Sequence, residues 1–246
     1  MFTSRQTLVF KSALFLLAFF SPCEALPASR TIPQIVARGS PNTIQGYVVP
    51  VSDGSTTSLP SPSGTLKAIG VGYGHQNYTC AAASTATPSP VPVSIGAKAT
   101  LYNAATYLPS DYQQGLADLI AIIKDAVSTP PPNVNSFVVQ EKLPVLGQHY
   151  FNGAGQPTFD LGSTGLLVAK KIGDILAPTG APVGLDNNGN PGFGAIDWLT
   201  LTDAGGSQGL NEVYRVETGG GKPPSTCDGY VGEIDIPYAA TYWFFD

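Results

Sequence analysis

Residues 212–218 read EVYRVET, 219–224 read GGGKPP, 230–236 read YVGEIDI and 240–245 read ATYWFF. Valine, isoleucine, tyrosine, phenylalanine, tryptophan and threonine dominate the first, third and fourth of these, and such side chains pack well on a pleated, half-buried surface. The Gly/Pro cluster between them cannot continue a central strand, because proline has no N–H to donate. This end of the chain reads as β-strands joined by turns.

The same punctuation recurs upstream. Strands are predicted at 46–51, at 66–74 and 76–81 around a bend at Gly74-His75, over 93–105, and at 136–140, 145–151 and 164–172, with a strand-like stretch around Trp198. Turn clusters lie at 152–155, 187–192 and 205–206, and a Pro/Ser/Thr loop at 83–92. The chain holds 28 Gly and 22 Pro and shows no repeat of fixed period. Many short strands at this spacing predict a mainly β fold: an antiparallel β-sandwich, with a closed barrel as its near relative. One helix packs on it, at about 110–127. Ser110 is its expected N-cap with Gln113 completing a capping box, and Leu116, Leu119, Ile120, Ile123 and Val127 form an apolar stripe that reads as core packing. The run STPPPN at 128–133 stops it.

The first residues have the three parts of a secretory signal: Arg5 and Lys11, the uncharged apolar run 12–20, and small residues before Leu26. Cleavage is expected after Ala25, with Ala28 second, which makes 1–25 a signal peptide. Residues 26–64 follow as a Pro/Ser/Gly-rich arm and 65–246 as a single β domain. The run is too short to span a bilayer, so no membrane span is expected after cleavage. An extracellular or cell-wall location follows. Charged residues make up only 12% of the chain, about half the usual share. The net charge of −5 offers nothing to neutralise phosphates, which argues against a nucleic-acid partner. Cys23 leaves with the signal, so Cys80 and Cys227 have only each other, and an oxidising compartment favours a disulfide. Two buried free thiols are the alternative. The bond would close a loop of roughly 150 residues, worth about 5 kcal/mol in the chain-entropy account. Asn77-Tyr78-Thr79 is an N-glycosylation sequon, expected at a strand edge or end.

Catalytic and cofactor motifs are scarce. Gly70-Val71-Gly72-Tyr73-Gly74 lacks the third glycine and the following helix of a dinucleotide fingerprint, and no P-loop occurs. No cofactor is expected. His75 and His149 stand alone, without metal-ligand spacing, so no metal site is expected. The run DNNGN at 186–190 resembles the start of a calcium loop, but Pro191 and Asp197 stand where glycine and glutamate are needed, and it reads as a turn. No G-x-S-x-G elbow exists. Asp160, Asp197, Glu212, Glu217, Glu233 and Asp235 could supply a glycosidase pair. Trp198 and Trp243 read as core; a sugar-stacking platform is the competing reading.

Several strings in order carry a resemblance: Gln76 to Cys80, Ala99 to Asn103, Gly147 to Phe151, Asp197-Trp198-Leu199, Val213 to Gly220, Pro224 to Cys227 and Pro237 to Phe245. From about Leu59 to the C-terminus the chain resembles secreted fungal and bacterial proteins carrying the domain DUF3455. Some members bear a malate dehydrogenase label, which no nucleotide fingerprint here supports. The resemblance implies a compact β domain and supports the cysteine pairing, and it implies no mechanism. Asn77 stands where an apolar residue is more typical, and the tryptophan usual after the first cysteine is missing.

The matching residues mix aromatic and polar types. In one reading Arg215 pairs with Asp197 or Glu217 and the tyrosines cap the core. In the other His149 and Arg215 converge on a pocket for an acidic or sugar-like ligand, with Tyr150, Tyr238 and Tyr242 as binding candidates. The leading expectation is a secreted cell-wall or surface protein that interacts with glycans. A secreted hydrolase or lyase using His149, Asp197 and Arg215 is the enzymatic alternative, and a structural or host-interaction protein the third.

Overall fold

The computed structural model describes residues 44–81, 89–128 and 143–246. All belong to one compact unit. The signal peptide with its cleavage sites, the start of the arm, most of the loop at 83–92, the proline stop of the helix beyond Ser128 and the strand expected at 136–140 lie outside the described residues.

Among the described residues eight strands run in chain order: β1 Leu66–Cys80, β2 Val93–Asn103, β3 Val145–Phe151, β4 Pro157–Asp160, β5 Leu166–Ile175, β6 Trp198–Asp203, β7 Glu212–Gly220 and β8 Gly232–Phe245. Each pairs antiparallel with the next, and β8 returns to pair along the length of β1, from Leu66↔Phe245 to Cys80↔Gly232. The mainly β fold with one helix is as the sequence indicates, and its β arrangement is the closed barrel. Closure leaves no sheet edge to protect.

Both faces of β8 are buried. Tyr238, Ala240, Tyr242 and Phe244 point into the barrel with Ala68, Leu101, Phe159 and Val213. Ala239, Trp243 and Phe245 point outward into a second core with Ile69, Val71, Tyr214 and Val216. Helix α1, Tyr112–Ser128, covers that outer face with Leu119, Ile122, Ile123, Ala126 and Val127. Period-two alternation thus produces an unbroken apolar run, as expected of a strand covered on both sides. Trp198 and Trp243 are both core residues, at 1% and 0% exposure.

Four local expectations change. The two strands at 66–74 and 76–81 are one strand without a bend. A Cβ at Gly74 would overlap the Lys98 carbonyl and one at Gly72 the Tyr242 ring, so these glycines let strands and rings approach closely rather than turn the chain. The strands at 230–236 and 240–245 are likewise one. Pro237 lies beyond the last β7–β8 pair, Gly220↔Tyr238, so its missing N–H interrupts nothing there. The helix N-cap is Asp111, whose Oδ1 accepts the Gln114 N–H at 2.8 Å, rather than Ser110. Residues 46–51 form no strand. Instead Tyr47, Val49 and Leu59 bury themselves in the outer core, and the Tyr47 hydroxyl donates to the Pro109 carbonyl at 2.7 Å. The described part of the arm is a strap on the barrel wall.

Cys80 and Cys227 are bonded, with Cα atoms 5.6 Å apart. The disulfide ties the end of β1 to the β7–β8 loop, and the Cys227 N–H donates to the Pro90 carbonyl beside it. Asn77 lies three residues from the end of β1, paired with Gly96 on one side and Asp235 on the other, so it is near a strand end and not at a sheet edge. Its Nδ2, the atom a glycan would occupy, donates to Asp235 Oδ1, so glycosylation would break that bond.

Candidate functional site

A cavity of about 460 Å³ opens at the disulfide end of the barrel. That is within the size range of small-ligand sites. The strands deliver its walls by alternation: Gln76 and Tyr78 from β1, His149 and Phe151 from β3, Phe159 from β4, Leu199 and Leu201 from β6, and Arg215 from β7. Gln76 and Tyr78 continue the inward row that begins with Gly70, Gly72 and Gly74. The G-x-G-x-G run is therefore one face of a barrel strand, whose small residues make room for the tyrosines opposite.

Tyr238 and Tyr242 share a hydrogen bond at 2.8 Å between hydroxyls and are completely buried. Burial raises both phenol pKa values, while the Arg215 cation works against that rise at Tyr242. Arg215 Nη2 donates to the Asp197 backbone carbonyl at 2.9 Å. The Tyr78 hydroxyl donates to the Gly221 carbonyl at 2.8 Å, pinning the β7–β8 loop that brings Lys222 and Pro223 to the rim.

His149 is 4% exposed and stacks on Phe159, with centroids 4.2 Å apart and planes 7° from parallel. Its Nδ1 bonds the Thr158 carbonyl at 3.0 Å. A carbonyl only accepts, so Nδ1 carries the proton and Nε2 the lone pair. Burial, and secondarily the Arg215 charge, lower its pKa to about 4 against the Thr158 bond, which works the other way. The ring is neutral at ordinary pH.

Of the residues singled out in the sequence, His149, Asp197, Arg215 and Tyr242 meet on this cavity. Tyr238 stands behind Tyr242, outside the lining. Tyr150 lies on the outer face of β3 at 38% exposure. Among the six carboxylates considered for a glycosidase pair, only Asp197 lines the cavity. Glu212 is committed elsewhere, accepting from the Tyr214 hydroxyl and the Ser63 N–H. The carboxylate of Asp186 in the DNNGN run accepts the Asn188 and Asn190 N–H groups, an Asx-type turn. Gln76, Lys222, Asp174 and the apolar Ile196, Leu199 and Leu201 escaped the sequence reading. The signal for Gln76 was present: it is the first polar residue on the glycine-lined face.

Among the described residues Arg215 has no carboxylate partner. The ion pairs among the described residues are Lys67–Asp246 at 2.7 Å and Lys171–Asp174 at 2.9 Å. Alternation along β7 places Val213 inward and Tyr214 and Val216 outward, and would turn Glu217 inward next to Arg215. A bulge intervenes. The β7–β8 register shifts between Val216 and Gly219, and Glu217 adopts φ 47°, the only positive φ outside glycine among the described residues. The bulge re-aims its side chain. Glu217 instead lines a cleft of about 190 Å³ on the outside, between Ile120 and Ile123 of α1 and the segment 178–182, where burial raises its pKa to about 7.

The domain family described as a protein of unknown function, DUF3455, matches residues 60–246. No curated protein and no solved structure matches the chain. The match spans the whole barrel, the cavity lining and both cysteines, and so the chain belongs to the DUF3455 family.

Proposed function

We propose that this is a secreted binding protein whose barrel mouth holds a small amphipathic molecule. The carrying observation is the cavity itself: apolar walls from Ile196, Leu199, Leu201, Phe151 and Phe159, interspersed with polar groups such as Gln76, His149 and Arg215. That composition is typical of ligand pockets. The long-range Cys80–Cys227 disulfide supports extracellular duty, where such a bond persists. No helix among the described residues is long and apolar enough to cross a membrane. Glycan interaction narrows accordingly. Both tryptophans are buried and offer no stacking platform, whereas Phe151, on the cavity lining at 37% exposure, could stack one sugar ring. A glycan would enter by a chain end, not lie across the surface.

The enzymatic alternative, a hydrolase or lyase, rests on His149 and Asp197 lining one cavity. Binding is favoured over it because the Nδ1 of His149 is oriented by a backbone carbonyl and not a carboxylate, and a base with a pKa near 4 accepts protons poorly at neutral pH. Titration with a neutral solvatochromic dye such as Nile red tests the binding reading. One saturable site per chain is expected, lost in Leu199→Trp, which fills the cavity. Absence of binding, or binding indifferent to Leu199→Trp, would contradict it.

A further inference from the structure

Among the described residues, two of the four buried side-chain polar atoms without a hydrogen-bond partner belong to residues on the cavity wall: Gln76 Nε2 and Arg215 Nε. The other two, Trp198 Nε1 and Thr200 Oγ1, belong to residues outside its lining. Both wall atoms are donors. Gln76 is only 7% exposed, so bulk water does not readily compensate it. The hydroxyls that interact with them, Tyr238 for Gln76 and Tyr242 for Arg215, are engaged with each other. A poorly paired buried donor costs about 1–3 kcal/mol, so an incoming acceptor has hydrogen bonds to gain there.

The charges point the same way. Lys171 and Asp174 neutralise each other at the rim. That leaves Arg215 and Lys222 against Asp197 on the lining, a net of one positive charge. Glu217, which strand alternation would have placed beside Arg215, is turned out to the helix side by the bulge at the cost of a left-handed backbone. The bulge thus removes one counter-ion, and Asp197, the other carboxylate near Arg215 on the lining, meets it through its backbone carbonyl. His149 contributes a neutral lone pair and no second cation. A phosphate dianion would find too little charge here, while a monoanion with two oxygens matches one guanidinium and one amide.

We infer that the cavity takes the carboxylate of a small monoanionic organic acid, its oxygens held by Arg215 and Gln76 and its apolar body lying against Phe151, Phe159 and Leu199. This rests on the cavity being a ligand site. The protein's net charge of −5 repels anions in general, so any preference for an acid must come from this local site.

The test is calorimetric titration of the full mature protein with three matched probes, 3-phenylpropionate, 3-phenylpropanamide and 3-phenylpropanol, at fixed ionic strength. The acid is expected to bind about tenfold or more tightly than either neutral probe. Arg215→Met should abolish that preference while the alcohol still binds. Arg215→Lys, which keeps the charge and folds more readily, should retain part of it, and Gln76→Leu should weaken the acid selectively. Equal binding of all three probes to the wild type would overturn the acid inference and leave the cavity reading standing. Binding of none, together with a failed Nile red titration, would overturn both.

Discussion

The two faces of β8 bury side chains equally well and use them differently. Outward, Trp243 and Phe245 lie under α1 and the strap, and the Trp243 indole donates to Thr241 Oγ1 while the Thr241 hydroxyl donates to the Val216 carbonyl. Inward, Tyr238 and Tyr242 pair with each other, and the row ends at a cavity where Gln76 and Arg215 keep donors to spare. The outer face is a core sealed by a helix. The inner face is a core that stops short of filling its barrel. Burial alone does not separate structural from functional residues here, and a missing hydrogen bond alone does not either, since Trp198 Nε1 in the outer core also lacks one; an unpaired donor on a cavity wall does.

Truncation should separate the faces most sharply. Trp243→Ala is expected to cost about 3–5 kcal/mol in denaturant unfolding and, below its transition, to leave ligand affinity at the cavity unchanged. Comparable loss of affinity would mean the outer layer shapes the mouth. Reducing Cys80–Cys227 should cost about 2–5 kcal/mol and also weaken binding, because the bond holds the loop carrying Lys222 and Pro223. Unchanged affinity after reduction would disconnect the loop from the site.

Two titrating groups, one per face, should bend the stability profile in opposite directions. His149 has a folded pKa of about 4 against 6.5 unfolded, so the unfolded chain binds its proton first. Stability should fall by about 3 kcal/mol as pH drops from 6.5 to 4, and His149→Gln should remove that slope. Glu217 is the reverse, raised from 4.5 to about 7. Its contribution is complete below pH 4.5 and is lost as pH rises through 7. Glu217→Gln should therefore stabilise the protein at pH 8 by about 1–2 kcal/mol, allowing for partial solvation, and by nothing at pH 4. Unfolding curves at a series of pH values check both, and a Glu217→Gln gain independent of pH would remove burial of charge as the cause.

Much of this was legible in the chain. The β-rich runs, the helical stripe and the cysteine pair follow from residue type, count and spacing, whereas the meeting of His149 with Arg215 is one of two readings that the family resemblance offers. The cavity's counter-ion did not, because alternation is a rule about unbroken strands. Glu217 breaks it at a bulge no residue type announces, since glutamate is not a residue that seeks positive φ. The joining of 66–74 with 76–81 was equally hidden. Glycines that mark bends in most chains here mark close approach of strands and rings, which depends on partners distant in sequence. The described part of the strap looked like an arm because its three buried residues, Tyr47, Val49 and Leu59, are spread through polar sequence.

Side-chain N–H signals report on both faces at once. In a titration of isotope-labelled protein with 3-phenylpropionate followed by NMR, the Arg215 Nε–H resonance should shift saturably while the Trp243 indole N–H stays still. Movement of the Trp243 signal with a silent Arg215, or no movement of either, would contradict the division between a sealed outer core and an inner face open to an acid.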